Sequence, residues 1–178
     1  MIDMKDPEVL RNKHVLLDTN ILIDSSKFPD EFGSFFDLLN EKSVISVIDQ
    51  TIKFEFLRGA QNNAEYKKLE DFLDLLFGQN RLELEPNRAT FDVARKIASL
   101  SYRTGNKSIK LGDSLIAAQV EKYSRNGSGN LFLATQNHKD FPPFLFNCVY
   151  VHLITLKDGS IKPVGIYEFN TYNFKKLS

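Results

Sequence analysis

Four acidic residues have types and positions that could do chemistry: Asp18, Glu55, Asp113 and Asp140. Asp18 ends the first apolar run, Glu55 lies on a predicted helix after the second run, Asp113 opens another predicted helix, and Asp140 follows a third run. In open α/β sheets, ligands gather beyond the carboxyl ends of the strands, so the four acids are expected to converge there. Carboxylate oxygens are the ligands that hard divalent cations prefer. The pattern therefore predicts a site for Mg²⁺ or Mn²⁺.

A cluster of carboxylates has a defined chemical use. The like charges repel each other, and a divalent cation relieves that repulsion. The cation then acidifies a bound water and neutralises phosphate charge. Such a site favours hydrolysis by a metal-activated water, with either one cation or two.

Each acid also has a purely structural interpretation. Asp18 could cap the helix that follows it, and Asp113 could interact with a helix dipole. Asp140 precedes two prolines and could be a turn residue. Glu55 has apolar neighbours, where a carboxylate is costly unless it lies on the polar stripe or pairs with a cation such as Arg58. The order of all four acids along the chain favours a shared site.

The elements that must position these acids follow from the hydrophobic pattern. Apolar runs at residues 14–17, 44–48 and 131–134 predict buried parallel strands. Helical periodicity predicts helices that open at Pro29, after Asp49 or Thr51, and over residues 64–77, 87–103 and 111–123. Residues 149–156 and 161–169 flank Asp158-Gly159, which predicts a terminal β-hairpin. The sequence therefore predicts an α/β fold with a mainly parallel central sheet, helices on both faces, and a C-terminal β-hairpin extension.

Length and composition favour one domain over residues 1–178, with its core at about 13–156 and the hairpin at about 149–170. With 178 residues, 42% of them hydrophobic, the chain is long enough for one sizeable core and short for two. No apolar run approaches the roughly 20 residues that cross a bilayer, and the N-terminus carries no hydrophobic signal segment. A soluble cytoplasmic protein is expected.

The net charge, the single cysteine and the three histidines limit which classes of function are expected. Lysine and arginine total 23, as do aspartate and glutamate, so the chain lacks a global positive field and any basic rim must be local. Cys148, the only cysteine, lies in an apolar stretch and is expected to be a buried structural thiol. His14 and His152 are expected to be structural, and His138 an exposed loop residue. Because none of them has a partner at metal-ligand spacing, zinc is not expected.

Four sequence blocks resemble those of the PIN-domain family, in the same order. They are LLDTN at residues 16–20, EFLRG at 55–59, GDSLIAA at 112–118 and LATQNHKDF at 133–141. The resemblance covers about residues 15–141, and the terminal hairpin lies outside it. It implies a three-layer PIN-like fold and a nuclease that hydrolyses RNA with bound magnesium or manganese, as in the VapC toxins of bacterial toxin-antitoxin pairs.

Carried over residue by residue, the resemblance assigns Asp18, Glu55 and Asp113 to the three most regular acids of the family and Asn20 to an asparagine that commonly follows the first. The family's fourth acid stands either at Asn137 or at Asp140; we choose Asp140, with Asn137 as a polar neighbour. From the residues themselves, hydroxyls next to the acids are expected to orient a carboxylate or a water; they belong to Thr19, Ser114 and Thr135.

Partners follow from both arguments. Basic residues flanking the acids are candidates for contacting the RNA backbone: Lys53, Arg58, Arg103, Lys107 and Lys110. The VapC resemblance implies a small antitoxin that blocks the site, and a homodimer. One alternative is a catalytically silent PIN-fold module that binds RNA or protein. Another is a phosphatase-like hydrolase with Asp18 as nucleophile. Such enzymes generally carry a second acid two residues after the nucleophile, and the residue at that position here is Asn20, which argues against this alternative.

Overall fold

The structure is a computed structural model that describes residues 6–78, 81–105, 109–125, 131–141 and 143–177. Within these ranges, six strands form one sheet: β1 His14–Leu17, β2 Ile45–Asp49, β3 Leu82–Leu84, β4 Leu131–Thr135, β5 Phe146–Thr155 and β6 Ile161–Phe169. The same ranges contain seven α-helices: α1 Thr19–Lys27, α2 Pro29–Glu41, α3 Gln50–Leu57, α4 Asn63–Phe77, α5 Arg88–Arg103, α6 Leu111–Arg125 and α7 Thr171–Leu177. A short 3-10 helix, Pro7–Leu10, precedes β1.

The sheet has the strand order β3-β2-β1-β4-β6-β5. The first four of these are parallel: β1 pairs with β2 and with β4, and β2 pairs with β3. The hairpin β5–β6 adds two antiparallel strands, with β6 next to β4. Leu17 pairs in register with Ala134, so β1 and β4 end at the same edge of the sheet. The predicted fold class is confirmed.

Burial explains why the apolar runs form the central strands. All five residues of β4 are buried, as expected for a strand covered on both faces. In β1, Val15, Leu16 and Leu17 are fully buried. The helix α2 packs against β5, α6 packs against β4 and β6, and α5 packs against α6. This core fixes the edge where β1 and β4 end.

Helix starts and stops follow the local sequence signals. Asp49 caps α3, because its Oδ1 accepts from the Thr51 backbone N–H at 2.7 Å. Asn87 caps α5 in a reciprocal arrangement with Thr90. Gly78, with φ of 74°, ends α4 in a conformation that favours glycine. Of the two predicted caps of α3, Asp49 is the one observed.

Three elements lie outside the predictions. Two helices, α1 and α2, connect β1 to β2, where the pattern predicted one. The strand β3 has only three half-buried residues, too few for a periodic signal. The expectation that the chain ends in β-structure was wrong: α7 follows the hairpin, with Phe174 as its buried residue. No helix in the described ranges has both the length and the apolar character needed to span a bilayer.

The expected burial of Cys148 was also wrong, because its side chain is exposed. It lies on β5, an edge strand that pairs only with β6 in the described sheet. The pairing shifts by one residue between Cys148 and Tyr150, which changes the side of the strand that faces the core. An apolar run on an edge strand therefore leaves part of its residues in solvent.

Candidate metal centre

Asp18 is held at the edge of the sheet by three hydrogen-bond donors. It ends β1 and caps α1, and its side chain is buried, with 6% of the residue exposed. Its Oδ1 accepts from the Thr19 backbone N–H at 2.7 Å, and its Oδ2 accepts from Asn20 Nδ2 and from Thr135 Oγ1, each at 2.6 Å. The capping interpretation of Asp18 therefore holds, and the side chains of Asn20 and Thr135 fix the carboxylate further.

Burial makes the charge on Asp18 costly. Desolvation raises the pKa of Asp18, while the hydrogen bonds from Thr135, Thr19 and Asn20 oppose that rise. The negative charge of Glu55 raises the pKa further. A buried carboxylate beside another acid is a group that a cation would stabilise.

Glu55 contacts the same cluster from α3. Its Oε2 accepts from Thr19 Oγ1 at 2.8 Å, so Thr19 links the start of α1 to this acid. Within the described residues, no ion pair joins Glu55 to Arg58, which is exposed. A Cβ at Gly112 would lie 2.8 Å from Glu55 Oε1. Because glycine has no side chain, the first turn of α6 can approach Glu55 at Gly112.

Asp113 stands on that first turn of α6, next to Gly112. Its Oδ2 accepts from the Lys110 backbone N–H at 3.3 Å. Burial raises the pKa of Asp113 to about 6, and the negative charges of Asp140 and Asp18 add to the rise. Asp113 therefore lies close enough to both acids to feel their charge.

The loop after β4 joins the two positions left open for the fourth acid. The Asn137 backbone N–H donates to Thr135 Oγ1 at 2.9 Å, and the Asn137 side-chain amide donates to Asp140 Oδ2. Thr135 thus contacts both Asp18 and the loop. The structure places Asn137 and Asp140 side by side, and Asp140 is the one whose charge acts on Asp113.

The terminal hairpin reaches this loop through Tyr167, a residue that the sequence analysis missed. The Tyr167 hydroxyl and His138 Nδ1 share a hydrogen bond, and their rings lie 5.8 Å apart. A Cβ at Gly165 would lie 2.5 Å from the Tyr167 ring, so the glycine makes room for that ring. A glycine inside a predicted strand, two residues before an aromatic residue on the same face, was the available signal.

The remaining predicted residues contribute differently. The Ser114 hydroxyl donates to the Lys110 carbonyl at 3.0 Å, the usual bond of a helical serine to the residue four positions earlier, rather than to an acid. Lys53 forms an ion pair with Glu83 on β3 at 3.0 Å. The charge of Lys110 acts on Asp113, and Arg103 is exposed at the end of α5. Lys107 lies outside the described residues.

The chemistry of the donor set fits a hard divalent cation. All four acids offer oxygen atoms, and magnesium and manganese prefer oxygen ligands. As the side chains stand, no group of three acids, histidines or cysteines in the described ranges lies close enough to hold one ion. Like charges keep carboxylates apart unless a cation lies between them. One ion held by these acids would therefore require side-chain movement of Glu55, Asp113 and Asp140 toward Asp18.

Comparison with protein families decides what kind of fold carries this site. The family model described as PIN domain matches residues 15–136, which is more than half of the chain. The chain belongs to the PIN-domain family. The matched range includes Asp18, Glu55 and Asp113, and it ends before Asp140 and the terminal hairpin.

Solved structures include chains that resemble this PIN domain. A chain in the crystal structure of VapBC2 from Rickettsia felis, bound to a DNA fragment from their promoter, has 20% sequence identity and a TM-score of 0.50, covering 67% of this chain and 98% of that one. A chain of FitAcB from Neisseria gonorrhoeae has 22% identity and a TM-score of 0.46, covering 66% and 84% respectively. No curated protein matches the chain. The likeness to VapBC2 is one of fold.

Proposed function

We propose that this PIN domain is a divalent-metal-dependent endoribonuclease that hydrolyses RNA phosphodiester bonds. The observation that carries the proposal is a hydrogen-bond network at one edge of the sheet, in which Thr19 links Asp18 to Glu55 and Thr135 links Asp18 to the loop that holds Asp140. The charge of Glu55 acts on Asp18, and the charges of Asp18 and Asp140 act on Asp113. Coupled carboxylates with raised pKa values are typical of functional sites.

In this proposal, Asp18, Glu55 and Asp113 hold Mg²⁺ or Mn²⁺, and Asp140 is the fourth ligand. When bound, the cation would neutralise phosphate charge and make an attacking water more acidic. The chain's own polar residues orient the acids: Asn20 and Thr135 hold Asp18, Thr19 holds Glu55, and Asn137 holds Asp140. Such supporting hydrogen bonds fix ligand geometry.

The proposal is tested by cleavage of a mixed RNA pool with manganese, with magnesium, or with chelator. We expect the wild-type protein to cleave only with metal, and Asp18→Asn to be inactive because a ligand charge is lost. The matched control is Asp37→Asn, which removes an exposed acid on α2 and should leave cleavage unchanged. Cleavage in chelator, or equal cleavage by Asp18→Asn, contradicts the proposal.

A catalytically silent module that binds RNA or protein is the alternative outcome of this experiment. Inactive protein is therefore assayed again after denaturation and refolding, which removes any bound inhibitor. Cleavage that appears only after refolding supports a nuclease purified together with an inhibitor. Inactivity in both preparations, with all tested metals, supports the silent module.

We extend the proposal to a small antitoxin partner and to a homodimer, in keeping with the VapC resemblance and the likeness in fold to VapBC2. Light scattering of the refolded chain should give twice the mass of one 20.4 kDa chain. A monomer mass across the assay's concentration range contradicts the homodimer and leaves the nuclease proposal to the cleavage assay.

A further inference from the structure

The exposed surface of α5 is rich in cations and aromatic rings. We define the α5 basic face as Arg88, Phe91, Arg95, Lys96, Tyr102 and Arg103, all exposed. Phe91 is 44% and Tyr102 62% exposed, which is unusual for large rings. Within the described residues, Arg88, Lys96 and Arg103 have no ion-pair partner, and Arg95 pairs with Asp92.

These residues lie on one side of the helix. At 3.6 residues per turn, positions 88, 91, 95, 96, 102 and 103 lie within less than half of the helix circumference. The helix rises 1.5 Å per residue, so the α5 basic face is about 22 Å long. It presents four cations and two rings, with Asp92 as the acid among them.

The charge of this face departs from that of the whole chain. The chain has a net charge of zero. The exposed residues of α4 carry more acids than cations, namely Glu65, Glu70, Asp71 and Asp74 against Lys67 and Lys68. The α5 basic face is thus a local excess of positive charge, which can attract a polyanion that the neutral molecule as a whole does not attract.

The packing of α5 against α6 gives the α5 basic face a direction relative to the acids. Thr90, in the first turn of α5, contacts Gln119 and Lys122 in the second half of α6, so the two packed helices are antiparallel. The C-terminal end of α5, at Arg103, therefore lies beside the start of α6, which carries Asp113. The Arg103 end of the face is therefore the end nearer to Asp113.

We propose that the α5 basic face binds single-stranded RNA and guides it to the acids, an inference that rests on the proposed function. Lys96, Arg88 and Arg103 contact phosphates, while Phe91 and Tyr102 stack on bases. Alternating cations and exposed rings suit single-stranded nucleic acid, because phosphates need charge and unpaired bases offer faces for stacking. The face makes no base-specific hydrogen bonds in this arrangement, so it binds RNA of mixed sequence.

The test measures RNA binding without cleavage. A fluorescein-labelled, mixed-sequence RNA of 20 nucleotides is titrated in chelator and followed by fluorescence anisotropy. The variant K96Q/R103Q is compared with K67Q/K68Q, which loses the same charge from α4. We expect K96Q/R103Q to weaken binding on the order of tenfold at 0.1 M salt and to lower the salt slope by about 1.4, because each lost phosphate contact on a single strand removes about 0.7. K67Q/K68Q should bind like the wild type.

A second pair of variants separates stacking from charge. F91A and Y102A keep the charge of the face, and each should weaken binding about tenfold without changing the salt slope. Leu75→Ala removes an 84%-exposed apolar side chain from α4 and is the control for lost exposed surface. Circular dichroism and melting temperature confirm that all variants are folded.

The outcomes separate this inference from the proposed function. Equal RNA affinity of the wild type and K96Q/R103Q, or equal weakening by K67Q/K68Q, overturns the role of α5 even where metal-dependent cleavage is intact. A changed oligomeric state with unchanged RNA affinity also overturns it, since the face would then join two copies of the chain. RNA binding that depends on the α5 basic face, in a protein that never cleaves RNA, supports the role of α5 in binding and contradicts the proposed nuclease activity.

Discussion

The two halves of the acidic site are built differently. Asp18 is buried and receives three hydrogen bonds from residues of β4 and α1. Asp113 is half-exposed and receives one bond of 3.3 Å from a backbone N–H. The first half is therefore fixed by the core of the sheet, whereas the second half depends on the start of α6 and on the loop after β4.

This difference suggests how the halves share the work of holding a cation. A carboxylate fixed by neighbours loses little freedom when it binds a ligand. The charge on Asp113 is disfavoured first by burial and then by the repulsion of Asp140 and Asp18, and a bound cation would offset that repulsion. We therefore expect substitutions near Asp18 to act on ligand geometry, and substitutions near Asp113 to act on charge balance.

The largest expected effect comes from Thr135→Val, which keeps the side-chain shape and removes the hydroxyl that donates to Asp18. Metal affinity should fall about 10- to 100-fold, the usual cost of losing a hydrogen bond behind a metal ligand. Titration calorimetry with Mn²⁺ measures this. Thr90→Val removes another fully buried hydroxyl, from α5, and should lower stability without changing metal affinity. Equal affinity of the wild type and Thr135→Val would remove Thr135 from the site.

Gly112→Ala tests the approach of α6 to Glu55. Its Cβ would lie 2.8 Å from Glu55 Oε1, so the carboxylate must move. We expect Mn²⁺ affinity to fall about tenfold, within the range for a misplaced ligand or its support. Gly33→Ala on α2 is the control, because its Cβ would meet no atom within 4 Å and alanine favours helix. If both alanine variants bind Mn²⁺ alike, the close approach at Gly112 has no bearing on the site.

Asp113→Asn should stabilise the metal-free protein at neutral pH. The folded-state pKa of about 6 exceeds the unfolded value of 3.8, so the folded chain binds more protons and loses stability as pH rises from 4 through 6. Removing the charge should recover about 1 kcal/mol at pH 7.5, a figure reduced for the solvent exposure of this group. Thermal melts in chelator measure the gain, which should disappear near pH 4. A gain that is equal at both pH values would show that charge is not its cause.

The sequence predicted those parts of the fold and of the candidate site that depend on local patterns. The apolar runs before Asp18 and in β4 are buried strands. Asp49, one of the two predicted caps, caps α3, and α5 begins at Arg88, next to the predicted start at Asn87. Each of these elements is indicated by residues that lie within a few positions of one another in the sequence. The meeting of Asn137 with Asp140 was also within reach, because both stand in one short loop.

Contacts between distant parts of the chain could not be predicted in this way. Gly165 signals space for the Tyr167 ring, but it does not indicate that the strand pairs with β4 or that the Tyr167 hydroxyl reaches His138. The exposure of Phe91 was hidden too, because helical spacing places it next to the apolar stripe of α5. Such features depend on which elements pack together, a property of the whole fold.

The smallest expected effect concerns the support that the hairpin gives to the second half of the site. Tyr167→Phe keeps the ring over Gly165 and removes the hydroxyl bonded to His138, which is two residues from Asp140. We expect the loop to lose one restraint and Mn²⁺ affinity to fall a few-fold, about 1 kcal/mol for a neutral hydrogen bond. Tyr150→Phe on the same hairpin is the matched control and should leave affinity unchanged. A purely structural role of Tyr167 would change the melting temperature alone. Unchanged Mn²⁺ affinity with a lower melting temperature would therefore assign Tyr167 to stability, and the second half of the site would then depend on α6 and the loop without the hairpin.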